Sequence, residues 1–245
     1  MAFKKLIAFS FTICFSVLSY AQNNGKAFYT KKSSHNFEDI EGLDINPQIM
    51  SSFKSVNNTI NNIEFLLTFN DSLAIYEEIK NLGMEVKNSK TQFAKVFSGY
   101  NGPSYYNFKT EKITQKQGSY LVEKNLTDYK WVLTKEKLII DHFTCYKATT
   151  VLKLQGRSGE ILRPVTAWYT TDINPSAGPD GFGGLPGLII QLEVNKVVTT
   201  LKKIEFSNKP INIKLPTKGK KITQEEFDLL MKEMVENRDK YYDKN

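Results

Sequence analysis

Residues 143–170 read FTCYKATTVLKLQGRSGEILRPVTAWYT. Two long β-prone runs, Phe143–Leu154 and Ile161–Thr170, flank the glycine-bearing break from Gln155 to Gly159. Branched and aromatic residues suit strands, and a short polar break between two such runs predicts an antiparallel pair. Side chains alternate along a strand, so Val165, Ala167 and Tyr169 take one face and Thr166, Trp168 and Thr170 the other. An antiparallel sheet can leave one face to water. Bulky residues on both faces predict that both are covered here, one by the core and one by a helix, a loop or a ligand.

The same pattern extends in both directions. Downstream, Leu188–Val194 and Val197–Phe206 form a hairpin across Asn195-Lys196, with Leu188, Ile190, Leu192 and Val194 opposite Ile189, Gln191 and Glu193. Upstream, Asn62–Phe69 and Ser72–Ile79 pair across Asn70-Asp71. Between these hairpins lie short strand-like segments at Lys95–Phe97, Ser104–Phe108, Lys112–Gln115, Tyr120–Leu126, Trp131–Leu133 and Leu138–Ile140, punctuated by Gly99, Gly102-Pro103 and Gly118. Residues 31–62, rich in Ser and Asn, read as an irregular connection with room for one short helix. Thr223 and Glu226 have capping-box spacing, and Phe227, Leu230, Met231, Met234 and Val235 follow as a helical stripe. A helix over 223–242 is expected to pack on the sheet. The fold class is therefore mainly β: a curved antiparallel sheet or half-barrel with a C-terminal amphipathic helix.

The chain has 245 residues, 40% hydrophobic and 24% charged, the balance of a globular protein rather than a disordered one. Its mean hydropathy of −0.38 excludes a bundle of membrane-spanning helices. Lys4 and Lys5 precede an apolar run from Leu6 to Leu18, short of the roughly 20 residues a spanning helix needs. Ser19-Tyr20-Ala21 then supplies small residues at −3 and −1, so residues 1–21 read as a cleaved secretory signal and 22–245 as a single domain. A lipoprotein would carry Cys after the cleavage point, where Gln22 stands. No membrane span is expected after cleavage. The formal charge of +7 is mild and scattered, and a nucleic-acid partner, which needs clustered charge with interleaved aromatics, is not expected.

Catalytic and metal constellations are sparse. After signal cleavage, His35, His142 and Cys145 are the His and Cys ligands available, with none of the spacings of a zinc site, so no metal or cofactor is expected. His142 and Cys145, three apart, point to opposite faces of a regular strand, which opposes a thiol–imidazole pair. No Gly-x-Ser-x-Gly elbow occurs. Cys145 reads as a buried small hydrophobe more readily than as a nucleophile.

Residues 178–189 read GPDGFGGLPGLI and form a specified Gly/Pro loop between strands. Pro179-Asp180-Gly181 suits a type I turn, and Leu185-Pro186-Gly187-Leu188 a type II turn. Two readings stay open: an ordered loop presenting Phe182 and Leu185 to a ligand, or a tight corner that folds them into the core. It is no phosphate cradle, because Pro186 stands where the last glycine of Gly-x-Gly-x-x-Gly is required.

These residues also carry a resemblance. Gly184-Leu-Pro186-Gly187-Leu-Ile189 resembles the signature of the GLPGLI family, exported proteins of Bacteroidetes-type bacteria with no assigned function. Cys145-Tyr146-Lys147-Ala148-Thr149 resembles its Cys-x-Lys-Ala element, Ala167-Trp168-Tyr169-Thr170 its Ala-Trp-Tyr-Thr strand, and Gly178-Pro179 its Gly-Pro turn. Ile173-Asn174-Pro175 departs from the family's Ile-Pro by one added residue. The resemblance implies export to the periplasm or exterior of a Gram-negative cell. Family genes beside those of TonB-dependent receptors imply an outer-membrane receptor as partner. The expected function is a non-enzymatic envelope binding protein for an apolar or peptide-like ligand, with Trp131, Trp168, Tyr169, Phe182 and Leu185 as its candidate contacts. The alternatives are a receptor or secretion accessory and, third, a hydrolase.

Overall fold

The computed structural model describes residues 24–33, 47–79, 89–156 and 159–237. Among them one open, curled sheet of twelve strands dominates. In chain order these are β1 (Gly25–Ser33), β2 (Glu64–Phe69), β3 (Leu73–Glu78), β4 (Ser104–Asn107), β5 (Lys112–Gln117), β6 (Tyr120–Asn125), β7 (Val132–Ile140), β8 (Phe143–Gly156), β9 (Gly159–Thr170), β10 (Leu188–Val194), β11 (Val197–Phe206) and β12 (Lys220–Thr223). Helices α1 (Pro47–Asn61), α2 (Ser89–Phe97) and α3 (Gln224–Glu236) complete the described structure. The sheet order is β12-β6-β5-β4-β3-β2-β1-β11-β10-β9-β8-β7. Every neighbouring pair is antiparallel except β12 on β6.

The expected hairpins form for legible reasons. Asn70 Oδ1 accepts from the Ser72 and Leu73 amides at 2.9 and 2.8 Å, fixing the turn between β2 and β3. Asn195 and Lys196 both take left-handed backbone, φ 48° and 62°, which matches the twist of the flanking β10 and β11. In the long β8–β9 pair, Thr149 sits opposite Thr166 and Ala148 opposite Ala167. Val165, Ala167 and Tyr169 share a cluster with Phe182, Leu185, Ile189 and Leu192. Trp168 faces the other way, onto the cluster that holds Phe143, Cys145, Leu188 and the buried face of β1 to β5. Both faces of this part of the sheet are therefore covered, and the second cover is the Gly/Pro loop.

Several expectations change. Residues 31–62 are not an irregular connection where they are described: 31–33 end β1, and 47–61 form α1. Val56 and Ile60 of α1 pack with Ala94 of α2, an apolar spacing obscured by the surrounding Ser and Asn. Lys95–Phe97 is the last turn of α2 rather than a strand. Trp131–Leu133 and Leu138–Ile140 are not separate strands, because Val132–Ile140 is one strand with a register shift between Leu133 and Lys137. The α3 capping box is present: the Thr223 amide donates to Glu226 Oε2 at 2.8 Å, and the Glu226 amide donates to Thr223 Oγ1 at 3.1 Å. Helix α3 lies against β6, β8 and β12, with Phe227 edge-on to Tyr120, yet Met231 and Met234 stay exposed. The signal segment 1–21, His35, Tyr241 and Tyr242 lie outside the described residues.

Gly187 marks where the loop closes onto β9. Its φ is +134°, and a Cβ there would stand 1.9 Å from the Thr170 carbonyl oxygen. Gly187→Ala combines left-handed strain with a backbone clash. Chemical denaturation should show a loss of at least ~2 kcal/mol, against about 1 kcal/mol for Gly118→Ala, which bears the left-handed strain of φ +59° but whose Cβ would meet nothing within 4 Å.

Candidate functional site

The inner face of β1 to β6 is unusually polar for a core. Cross-strand registers align Leu67, Tyr76, Ser104, Gln115 and Val122 in one row, and Phe69, Ala74, Tyr106, Ile113 and Lys124 in the next. Tyr29 and Lys31 of β1 are buried beside them. A buried loop presents peptide groups that water no longer satisfies, so the surrounding wall must supply hydrogen bonds. This wall does so. The Tyr106 hydroxyl donates to Gly178 O at 2.7 Å, Tyr129 to Gly181 O at 2.9 Å, and Tyr29 to Ile189 O at 2.8 Å. Trp131 Nε1 donates to Gly183 O at 2.8 Å. Four aromatic donors from three separate stretches of chain thus hold one Gly/Pro loop.

Asp180 sits at the tip of that loop and reaches Lys31 Nζ at 2.6 Å. Lys31 Nζ also donates to Ser98 O at 2.9 Å and lies 4.9 Å from the centre of the Phe65 ring. Burial raises the Asp180 carboxyl above its usual range, against the pull of Lys31 and Lys124. Burial likewise lowers Lys31, against the pull of Asp180. For both partners desolvation outweighs attraction, the expected balance for a buried ion pair. Lys124 projects toward the same loop, touching the Tyr129 hydroxyl and lying over its ring, and burial pushes its ammonium down to about 8. Asp180 takes φ +54°, so Pro179-Asp180-Gly181 is not the expected type I turn, which needs negative φ there. Gly187 has the expected positive φ. The Leu188 amide, however, donates to Ile173 O rather than closing a type II turn on Leu185, and the Gly187 amide donates to Leu185 O at 2.7 Å.

Of the five expected ligand contacts, the fold gathers four. Phe182 stacks on Tyr129 at 4.7 Å between centroids and tilts against Trp131 at 6.3 Å, while Leu185 and Tyr169 join the same cluster. Trp168 is on the opposite face. Phe182 and Leu185 are only 4% and 2% exposed, so the loop folds them into the core instead of presenting them. Gly178, Pro179 and Gly187 are buried, whereas Gly184 and Pro186 are exposed. Lys147 makes a bidentate contact to Glu136, both oxygens at 3.0 Å. The sequence reading missed Lys31, Tyr76, Ser104, Tyr106, Lys124 and Tyr129. Strict alternation of Ala27, Tyr29 and Lys31 on the inward side of β1 was a signal that could have found Lys31.

Chemistry outside the loop is thin. Cys145 is buried, and burial pushes its thiol up to about 11, while His142 is exposed and bonded to Asp141 at 2.8 Å. Among the described residues no group of three His, Cys, Asp or Glu could hold a metal ion, and no helix is long and apolar enough to cross a membrane.

The outer surface has one distinct feature. Strand β7 ends the sheet, and its far side has no strand partner among the described residues. Beyond Thr149 and Val165, β8 and β9 pair only with each other, so residues 150–156 and 159–164 project as a two-stranded arm. Val132, Leu133, Leu138, Ile139, Val151, Ile161 and Leu162 are exposed here, with Ile139 at 72% and Leu162 at 58%.

A family model described as a protein of unknown function (Porph_ging) matches residues 160–191, from β9 through the Gly/Pro loop into β10. No curated protein matches the chain in sequence. Among solved structures the chain is similar to PNGF-II in its P21 form, with TM-score 0.50 and 16% identity over 87% of this chain and 33% of that one. The C2 form gives 0.47 and 15% over 87% and 32%. The chain thus spans about a third of the length of PNGF-II, and the likeness concerns the fold alone. LprF from Mycobacterium bovis matches at TM-score 0.25 and 9% identity, over 80% of this chain and 90% of that one, too remote to indicate a shared fold.

Two predictions follow from the buried groups. Lys31→Met alone strands the Asp180 carboxylate and should cost ~3–5 kcal/mol in urea unfolding, whereas Lys31→Met with Asp180→Asn should recover most of that loss. Iodoacetamide at pH 8 should leave Cys145 unmodified in the folded chain and alkylate it in 6 M guanidinium, as read by intact mass.

Proposed function

We propose that this is an exported, non-enzymatic binding protein of the GLPGLI type that captures an extended, apolar peptide strand at the edge of its sheet. The carrying observation is the β7 edge beside the projecting β8–β9 arm. An unpaired edge offers backbone amides and carbonyls at strand spacing, the chemistry of strand addition. Natural edges of this length are usually blunted by charge, bulges or cover. Here Lys135, Glu136 and Lys137 and the register shift blunt only the middle, and apolar residues remain on both sides of it. An apolar patch of this kind marks an interaction site in a protein that stays monomeric.

The interior offers less. Its wall is engaged by the chain's own loop, and Tyr169, Phe182 and Leu185 are packed away from solvent. The peptide-like ligand of the sequence reading therefore fits the edge better than a groove over those residues. A receptor accessory is the same reading with the strand supplied by an outer-membrane protein. The arm and edge would then be the docking element, and the signal segment would deliver the protein to that compartment.

The test uses fluorescein-labelled ten-residue peptides alternating Val and Thr, with scrambled Gly/Ser peptides as control. Anisotropy should report binding to the full-length mature chain. Ile139→Lys and Leu162→Lys should each weaken it at least ~10-fold, about 1.4 kcal/mol, without lowering the melting temperature. Equal binding of both peptides, or binding untouched by these substitutions, would sink the edge reading.

A further inference from the structure

Three buried side-chain oxygens beneath the loop tip have no hydrogen-bond partner among the described residues: Tyr76 Oη, Ser104 Oγ and Asp180 Oδ1. Tyr76 and Ser104 are direct cross-strand partners on the inner face, and both are fully buried. The 3-10 turn that carries Asp180 lies against β3 and β4, the strands that carry them. Gly181, next to Asp180, has no side chain to fill the gap. A Cβ there would come within 3.0 Å of Ser104 Oγ and 3.7 Å of Lys124 Nζ. Two hydroxyls and one carboxylate oxygen, none of them with a partner among the described residues, therefore lie in the same region of the core, where the Asp180 turn meets β3 and β4. Unsatisfied groups of this kind are rare in native interiors, and each calls for a partner.

We infer that this site binds an internal water molecule that bridges Asp180 Oδ1, Ser104 Oγ and Tyr76 Oη. The surrounding charge selects a neutral occupant. Lys31 and Lys124 disfavour a cation, and the Asp180 carboxylate disfavours an anion. Water matches the valences: it accepts from the Tyr76 hydroxyl and donates to Asp180 Oδ1 and to Ser104 Oγ, three bonds in all, the usual number for a buried water. The Ser104 proton can turn to the water instead, which then accepts from both hydroxyls and donates to Asp180 Oδ1. The bridge ties the Asp180 side chain to Tyr76 of β3 and Ser104 of β4, to which it makes no direct bond. Asp180 is then held at both oxygens, by Lys31 at Oδ2 and by water at Oδ1.

The expected result is a long-lived water in ¹⁷O magnetic relaxation dispersion of the full-length mature chain, together with a crystallographic peak 2.6–3.2 Å from the three oxygens, the ordinary hydrogen-bond range. Tyr76→Phe should remove the dispersion from this site and lower the melting temperature, as should Ser104→Ala to a smaller degree. A peak at about 2.4 Å with a cation's coordination would overturn the inference. So would a higher melting temperature for Tyr76→Phe, since deleting a hydroxyl that truly lacks a partner relieves a desolvation penalty. Loss of peptide binding at β7 would not bear on this site, so the two readings fail separately.

Discussion

The structure depends on burying a polar stretch of backbone. A Gly/Pro loop from Gly178 to Gly187 lies against the inner face of a curled sheet, where its carbonyls are cut off from water. Without donors, each would carry a penalty of about 1–3 kcal/mol. The donors come from Tyr29, Tyr106, Tyr129 and Trp131, which are otherwise apolar enough to form core. An aromatic with a polar tip meets both demands at once, since the ring packs and the O–H or N–H satisfies the carbonyl. Tyr29, Tyr106 and Tyr129 are thus explained by the loop segment they face.

That arrangement also accounts for the glycines. At Gly183 and Gly184 a Cβ would fall 2.7 Å from the Ser176 carbonyl oxygen and 2.3 Å from that of Leu126. The loop packs backbone against backbone, so side chains have no room there. Phe182 and Leu185, between the glycines and prolines, become its apolar anchors in the second cluster. The loop is therefore a fixed part of the core, whereas the arm and the β7 edge keep their apolar side chains exposed.

Cys145 and the Lys31–Asp180 pair show how burial redirects chemistry. A thiol pushed up to about 11 is a poor nucleophile near neutral pH. A buried lysine and aspartate with shifted pKa values can belong to an active site or to a structural ion pair. Here the cation is bonded to the Ser98 carbonyl as well as to Asp180, which fixes the loop tip to β1 and the end of α2. Ion pair and aromatic donors act on the same dozen residues, Lys31 and Tyr29 from β1 and Tyr106 from β4.

The sequence by itself determined the strand-rich class, the three hairpins, the capped C-terminal helix and the specified character of residues 178–189. Each rests on local rules: alternation, turn residues and capping side chains act between neighbours in the chain. It also showed that Trp168 and Tyr169 face opposite ways, because that follows from the pleat alone. Only the tertiary structure decided that the loop turns inward, that Lys31 meets Asp180 across 149 residues of sequence, and that Trp168 leaves the company of Trp131 and Phe182. Those outcomes depend on which strands become neighbours and how the sheet curls. The 25–33 segment that carries Tyr29 and Lys31 reads weakly because its lysines mask the alternation. One of them, Lys31, is turned inward by the pleat of β1, and its burial is compensated by Asp180, 149 residues along the chain.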